Sequence, residues 1–66
     1  MDRIKIAKYF NYEHLPKRLQ DVSRPFGELA ENLVKQCEDG RADYDETQVA
    51  LRKLLEAKDA AVRAAL

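Results

Sequence analysis

The sequence predicts an all-α fold: a short N-terminal helix or arm followed by a hairpin of two long antiparallel helices, assembled as an oligomer. Three observations predict it. Apolar residues recur at helical spacing from Leu15 to Leu33, a run rich in alanine and leucine without glycine or proline fills the last third of the chain, and Gly40 stands between the two. No strand pattern, internal repeat or low-complexity segment interrupts this reading, so residues 1–66 are taken as a single helical-hairpin domain.

At the N-terminus, Ile4, Ile6, Ala7, Tyr9 and Phe10 can pack from a short helix, and Pro16 ends any such element. Next, Leu15, Leu19, Val22, Phe26, Leu29 and Leu33 advance by 4, 3, 4, 3 and 4 residues. That spacing keeps side chains on one face of a helix and turns the face toward a core. Pro25 falls inside the stripe. Its ring crowds the preceding turn and it has no amide hydrogen, which leaves a kink or two abutting helices. Ser23 offers a cap for a restarted helix and Gly27 weakens the join. The stripe nevertheless keeps phase across the proline, which favours one kinked helix from about Pro16 to Cys37.

Gly40 follows Glu38 and Asp39 and can adopt the left-handed conformation that ends helices. Asp43, with Glu46 three residues on, resembles a capping box for the second helix, and Asp45 with Gln48 is the alternative start. Beyond it, Ala50, Leu51, Leu54, Leu55, Ala61, Val62 and Ala65 make an apolar face too wide for one hairpin partner to cover.

Size adds a second reason to expect association. A domain of about 60 residues buries only about 60% of the surface its unfolded chain exposes, and disulfides, a metal or further subunits usually supplement it. Cys37 is the only cysteine and His14 the only histidine, so neither a disulfide within the chain nor the nitrogen and sulfur ligands of a closed zinc site are at hand. A homo-oligomer is therefore expected, with no metal or other cofactor. No apolar run has the length of a membrane span and no signal-peptide core follows Met1, so a cytoplasmic protein without a membrane partner is expected.

Net charge is zero, but its distribution is not even. Residues 1–24 carry six basic and three acidic groups, residues 25–48 two and seven, and residues 49–66 four and two. The thirds thus read +3, −5 and +2. In a hairpin turning at Gly40 the acidic third forms the closed end, and the two basic thirds meet at the open end with Tyr9, Phe10, Tyr12 and His14. Cations grouped with aromatic rings and a histidine suit an anionic aromatic ligand such as a nucleotide. A long nucleic acid is disfavoured, because the mixed charge leaves no continuous basic stripe.

No catalytic constellation is present: Gly27 and Gly40 stand alone, and Ser23, His14 and the carboxylates lack the spacing of a nucleophilic site. An enzyme is not expected. Among candidate ligand-binding residues, Tyr12 either stacks on a base or closes the hairpin as a packing ring. Arg63, four residues after Asp59, either forms a helical ion pair with it or grips a phosphate with its planar fork. Lys17, Arg18 and Arg24 lie on the first half of the long helix, where they form a solvated basic face or contribute to the site. His14 either packs as a neutral ring or donates to a ligand, and Cys37 reads as a small apolar filler.

The segment Tyr12-Glu13-His14-Leu15-Pro16 leads into the long helix, and the second helix ends in Leu54-Leu55-Glu56-Ala57-Lys58-Asp59-Ala60-Ala61-Val62-Arg63-Ala64. With these motifs the chain resembles, over roughly residues 10–66, the phage anti-CBASS sponge proteins, whose hairpin is shared with the anti-Thoeris sponges. The resemblance implies a compact homo-hexamer in the host cytosol that sequesters cyclic oligonucleotides without cleaving them. Its ligands would be cyclic dinucleotides such as cyclic GMP-AMP and cyclic trinucleotides. The family's base-stacking tyrosine falls on Tyr12 and its late arginine, associated with the trinucleotide pocket, on Arg63. Its phosphate-binding helix lysine falls on Gly27 by counting from Tyr12, or on Arg24 by aligning the later leucines. The hairpin has no room for the domain inserted in the anti-Thoeris branch, so the resemblance points to the cyclic-oligonucleotide branch. A small interaction module or phage regulator that docks a host protein is the alternative function.

Overall fold

The computed structural model describes residues 5–66, in which every regular element is helical. A short 3-10 helix, Lys5–Phe10, precedes two long helices, α1 (Lys17–Glu38) and α2 (Tyr44–Ala64). The Ile4 position expected in the first element lies outside the described residues. α1 and α2 pack as an antiparallel hairpin, and the 3-10 helix lies against both. The molecule measures 37 × 18 × 15 Å, so its length is essentially that of the two helices.

Each boundary has a local chemical cause. α1 begins directly after Pro16, which contributes no side-chain cap. Gln20 compensates from within the first turn, its side-chain amide donating to the carbonyls of Glu13 and Leu15 at 3.2 and 2.8 Å. This ties the loop that carries Tyr12 and His14 to the start of the helix. The helix then runs through Pro25 as one element.

At its other end the Gly40 amide donates to the Cys37 carbonyl at 3.0 Å and the Arg41 amide to the Gln36 carbonyl at 2.9 Å. Those paired bonds form a Schellman motif, which needs a left-handed residue, and Gly40 supplies it at φ 79°. Asp43 is the N-cap of α2, its carboxylate accepting from the Glu46 amide at 2.8 Å. Of the two possible starts, the earlier one is used.

The core is small: Ile6, Phe10, Ala30, Val34 and Leu51 are buried against one another, with Phe26, Leu33, Cys37, Leu54 and Leu55 packed around them. Cys37 is half-buried in this shell, as an apolar filler would be.

The leucine stripe corrects the sequence reading. The buried residues of α1 are Leu19, Ser23, Ala30 and Val34, whereas Leu15, Val22, Phe26 and Leu33 are only half-buried and Leu29 is 49% exposed. At about 100° per residue the stripe is turned roughly 60° from the buried line. The reason is that α1 has two neighbours. Its inward direction lies between α2 and the 3-10 helix, and small residues there let both approach. Gly27 marks the tightest point: a Cβ at 27 would stand 3.1 Å from the Phe10 carbonyl oxygen and 3.4 Å from the Tyr12 ring. The 3-10 segment thus covers one flank of the hairpin. Of the stripe, Leu19 is buried and Phe26 and Leu33 still pack against the core, while Leu29 is left toward the other flank, which no described element covers.

Candidate functional site

The open end of the hairpin is where the sequence gathers its cations. Arg18 closes that end, its guanidinium donating to the Ala65 carbonyl just past α2. A cation at a helix C-terminus satisfies an orphan carbonyl and complements the local dipole. This Arg18 guanidinium is therefore engaged in structure, and it fixes the start of α1 beside the end of α2.

Beside it lies a cleft of about 360 Å³ between the 3-10 helix, the following loop and the last turns of α2. Lys8, Lys58 and Arg63 line it against the single carboxylate of Asp59. His14, Asn11 and the Tyr9 ring supply donors and a flat surface, and Leu15 and Val62 an apolar floor. Its size is at the low end of the range for small-molecule pockets, about 300–1,000 Å³. Tyr9 is 56% exposed, and the Lys8 ammonium sits 5.3 Å from its ring centre in a cation–π contact.

Lys58 is only 13% exposed and pairs with Asp59 at 2.9 Å. The i, i+4 pair expected between Asp59 and Arg63 is replaced by this neighbouring one. Arg63 makes no ion pair among the described residues, and its exposed guanidinium borders the cleft with its donors available. The cleft thus carries three cations and one carboxylate beside the Tyr9 ring.

Tyr12 is placed elsewhere. It is half-buried against α1 and lines a second, smaller hollow of about 270 Å³ whose other walls include Glu13, Glu28 and Glu31. The Arg24 guanidinium lies 5.4 Å from the Tyr12 ring centre. Asp21 accepts from Lys17 at 2.6 Å and from Arg24 at 3.3 Å. The Lys17 hydrogen bond, with the charges of Lys17 and Arg24, holds the Asp21 carboxyl below its ordinary range. Lys17 and Arg24 are therefore partly neutralised by one carboxylate, and the carboxylates around the hollow oppose an anion.

Of the six residues singled out from the sequence, the fold brings His14 and Arg63 into one cleft and Tyr12 and Arg24 into a second contact. Lys17 joins the latter through Asp21, and Arg18 stands at the end of α2. Lys8, Tyr9, Asn11 and Lys58 were not singled out, yet they complete the cation-rich cleft. Lys58 could have been found one helical turn before Val62, facing the open end. Tyr9 was legible only as one aromatic among three. Among the described residues no group of three or more histidine, cysteine, aspartate or glutamate side chains is placed to hold a metal ion. Nor is any described helix long and apolar enough to cross a membrane.

Fold and site together define a class: an all-helical hairpin with a cation-rich, aromatic-bearing cleft at its open end. Comparison of the chain with protein-family models, with curated proteins and with solved structures finds no match.

Proposed function

We propose that this protein is a homo-oligomeric, non-enzymatic binder that sequesters cyclic di- and trinucleotide second messengers and thereby blocks CBASS-type antiphage signalling. The observation that carries the reading is the open-end cleft, which Lys8, Lys58 and Arg63 line together with the exposed Tyr9 ring and His14. A nucleotide needs that combination. Its phosphates take charge-assisted hydrogen bonds, its base takes a flat surface, and its sugar edges take neutral donors such as Asn11. The resemblance of the Tyr12–Pro16 and Leu54–Ala64 segments to the anti-CBASS sponges supplies the cyclic form of the ligand and the hexameric state.

Calorimetric titration against a panel of cyclic di- and trinucleotides tests the proposal. At least one should bind and be recovered unmodified after denaturation. Arg63→Ala should weaken trinucleotide-type ligands at least tenfold, since a hydrogen bond to a charged group contributes about 1.5–3 kcal/mol. Tyr9→Ala should weaken the bound ligand by a similar factor through the loss of the cleft's stacking ring. Absence of binding across the panel overturns the ligand assignment and leaves the docking of a host protein as the better reading.

A further inference from the structure

Lys58 and Asp59 are consecutive on α2, and consecutive helical side chains point about 100° apart. Their Nζ and Oδ1 atoms nevertheless meet at 2.9 Å, and both residues line the open-end cleft. The two side chains therefore lean into that cleft as one unit. Lys58 is 13% exposed and Asp59 48%, so the ammonium is held in the wall while the carboxylate stays accessible.

Helix stability gives Asp59 little reason to be there. It is the only carboxylate beyond Glu56, close to the end of α2 at Ala64, where a negative charge gains nothing from the helix dipole. Aspartate is also a weaker helix former than the adjacent alanines. Among Lys8, Lys58 and Arg63 it weakens the attraction for phosphate. What it adds is a pair of acceptor oxygens in a cleft otherwise rich in donors.

We infer that the Lys58–Asp59 pair reads the base of the bound nucleotide and selects guanine. This rests on the nucleotide-binding reading of the cleft. The pair offers a short row of one donor and two acceptors: the Lys58 ammonium, then Oδ1 and Oδ2 of Asp59. Guanine carries the complement on one edge, the O6 acceptor followed by the N1–H and N2–H donors. It fills all three positions. Adenine, uracil and cytosine match two at most and leave a carboxylate oxygen unpaired or facing a lone pair, which is where discrimination arises. Lys8 and Arg63 remain for the phosphates, and the Tyr9 ring for stacking. Asp59 also offsets the charge of the mostly buried Lys58, a structural role that the experiment separates from recognition.

The experiment is calorimetric titration of the wild type and of Asp59→Asn with four cyclic dinucleotides, carrying guanine, hypoxanthine, adenine or xanthine. The wild type should bind the guanine ligand roughly tenfold or more tightly than the adenine one. The hypoxanthine ligand, which lacks only the N2 amine, should lose most of that advantage. An amide at position 59 presents one acceptor and one donor, which suits the N1–H and O2 of xanthine. Asp59→Asn should therefore reverse the order and bind xanthine more tightly than guanine, an outcome that loss of a structural ion pair does not produce. Should Asp59→Asn fail to fold in a thermal melt, the wild-type ranking of guanine, hypoxanthine and adenine decides alone. No binding of any of the four overturns the nucleotide reading and this inference with it. Equal binding of guanine and adenine by the wild type, or a guanine preference unchanged in folded Asp59→Asn, overturns this inference alone.

Discussion

Ser23 shows how a single side chain can be placed by its neighbours against its own preference. Its side chain is fully buried on α1, and its hydroxyl has no hydrogen-bond partner among the described residues. A hydroxyl shielded from water without a partner costs about 1–3 kcal/mol, and serine is chosen here for its size on the line where α2 and the 3-10 helix close on α1. Ser23→Ala keeps the size and removes the orphan oxygen. We predict a gain of about 1 kcal/mol, read as a rise of about 4–8 °C in melting temperature for a domain of this length. An unchanged or lower melting temperature would show that the hydroxyl has a partner in solution.

Asp21 behaves in the opposite way, being exposed and bonded to Lys17 and Arg24. Because its folded value lies below the ordinary 3.8, its stabilising contribution is present above that pH. It is lost as the pH falls through the lowered folded value. In a pH titration followed by NMR, Asp21 should titrate below 3.8, and Lys17→Ala should raise that midpoint by removing the largest cause. An Asp21 midpoint unaffected by Lys17→Ala would place the lowering elsewhere.

At the scale of elements, α1 is the longer helix and carries the sequence's clearest local conflict. Pro25 is exposed, inside the helix, and leaves the Asp21 carbonyl without its usual donor four residues on. An interior proline is about 3 kcal/mol less favourable than alanine in a helix, partly offset by the freedom it removes from the unfolded chain. Pro25→Ala should therefore raise stability by about 1–2 kcal/mol in chemical denaturation. A loss would mean that the proline itself is required for packing. The 3-10 helix depends on α1 more narrowly. Gly27 admits the Phe10 carbonyl and the Tyr12 ring, so the loop bearing His14 is seated by one missing Cβ.

For the whole molecule, the separation of charge between the two ends governs what it can attract. The cleft holds three cations and one carboxylate at one end of a chain of zero net charge, which suits a ligand with two or three phosphates better than a polymer. Under the proposed function, binding of a cyclic dinucleotide should fall only about tenfold between 50 and 200 mM salt, against the roughly 10³–10⁵-fold loss of a protein with 6–10 phosphate contacts. Fluorescence titration at the two salt concentrations measures it. A steeper loss, with tighter binding to longer oligonucleotides, would favour a nucleic-acid surface.

Local chemistry was legible in the sequence wherever a residue acts through its own backbone or its near neighbours. The Gly40 stop, the Asp43 cap, the passage of one helix through Pro25 and the gathering of cations at the open end all follow from torsional preference, short-range hydrogen bonding and connectivity. Tertiary structure decided which way each helix is turned and which cations share a space. The leucine periodicity gave a face but not its neighbours, and two elements packing on α1 moved the buried line to Ser23, Ala30 and Val34. The same rotation put Tyr12 among carboxylates and left Tyr9 with Lys8, Lys58 and Arg63. Those groupings depend on interhelical approach across Gly27, a distance set by packing between segments far apart in the chain, and periodicity within one segment carries no record of it.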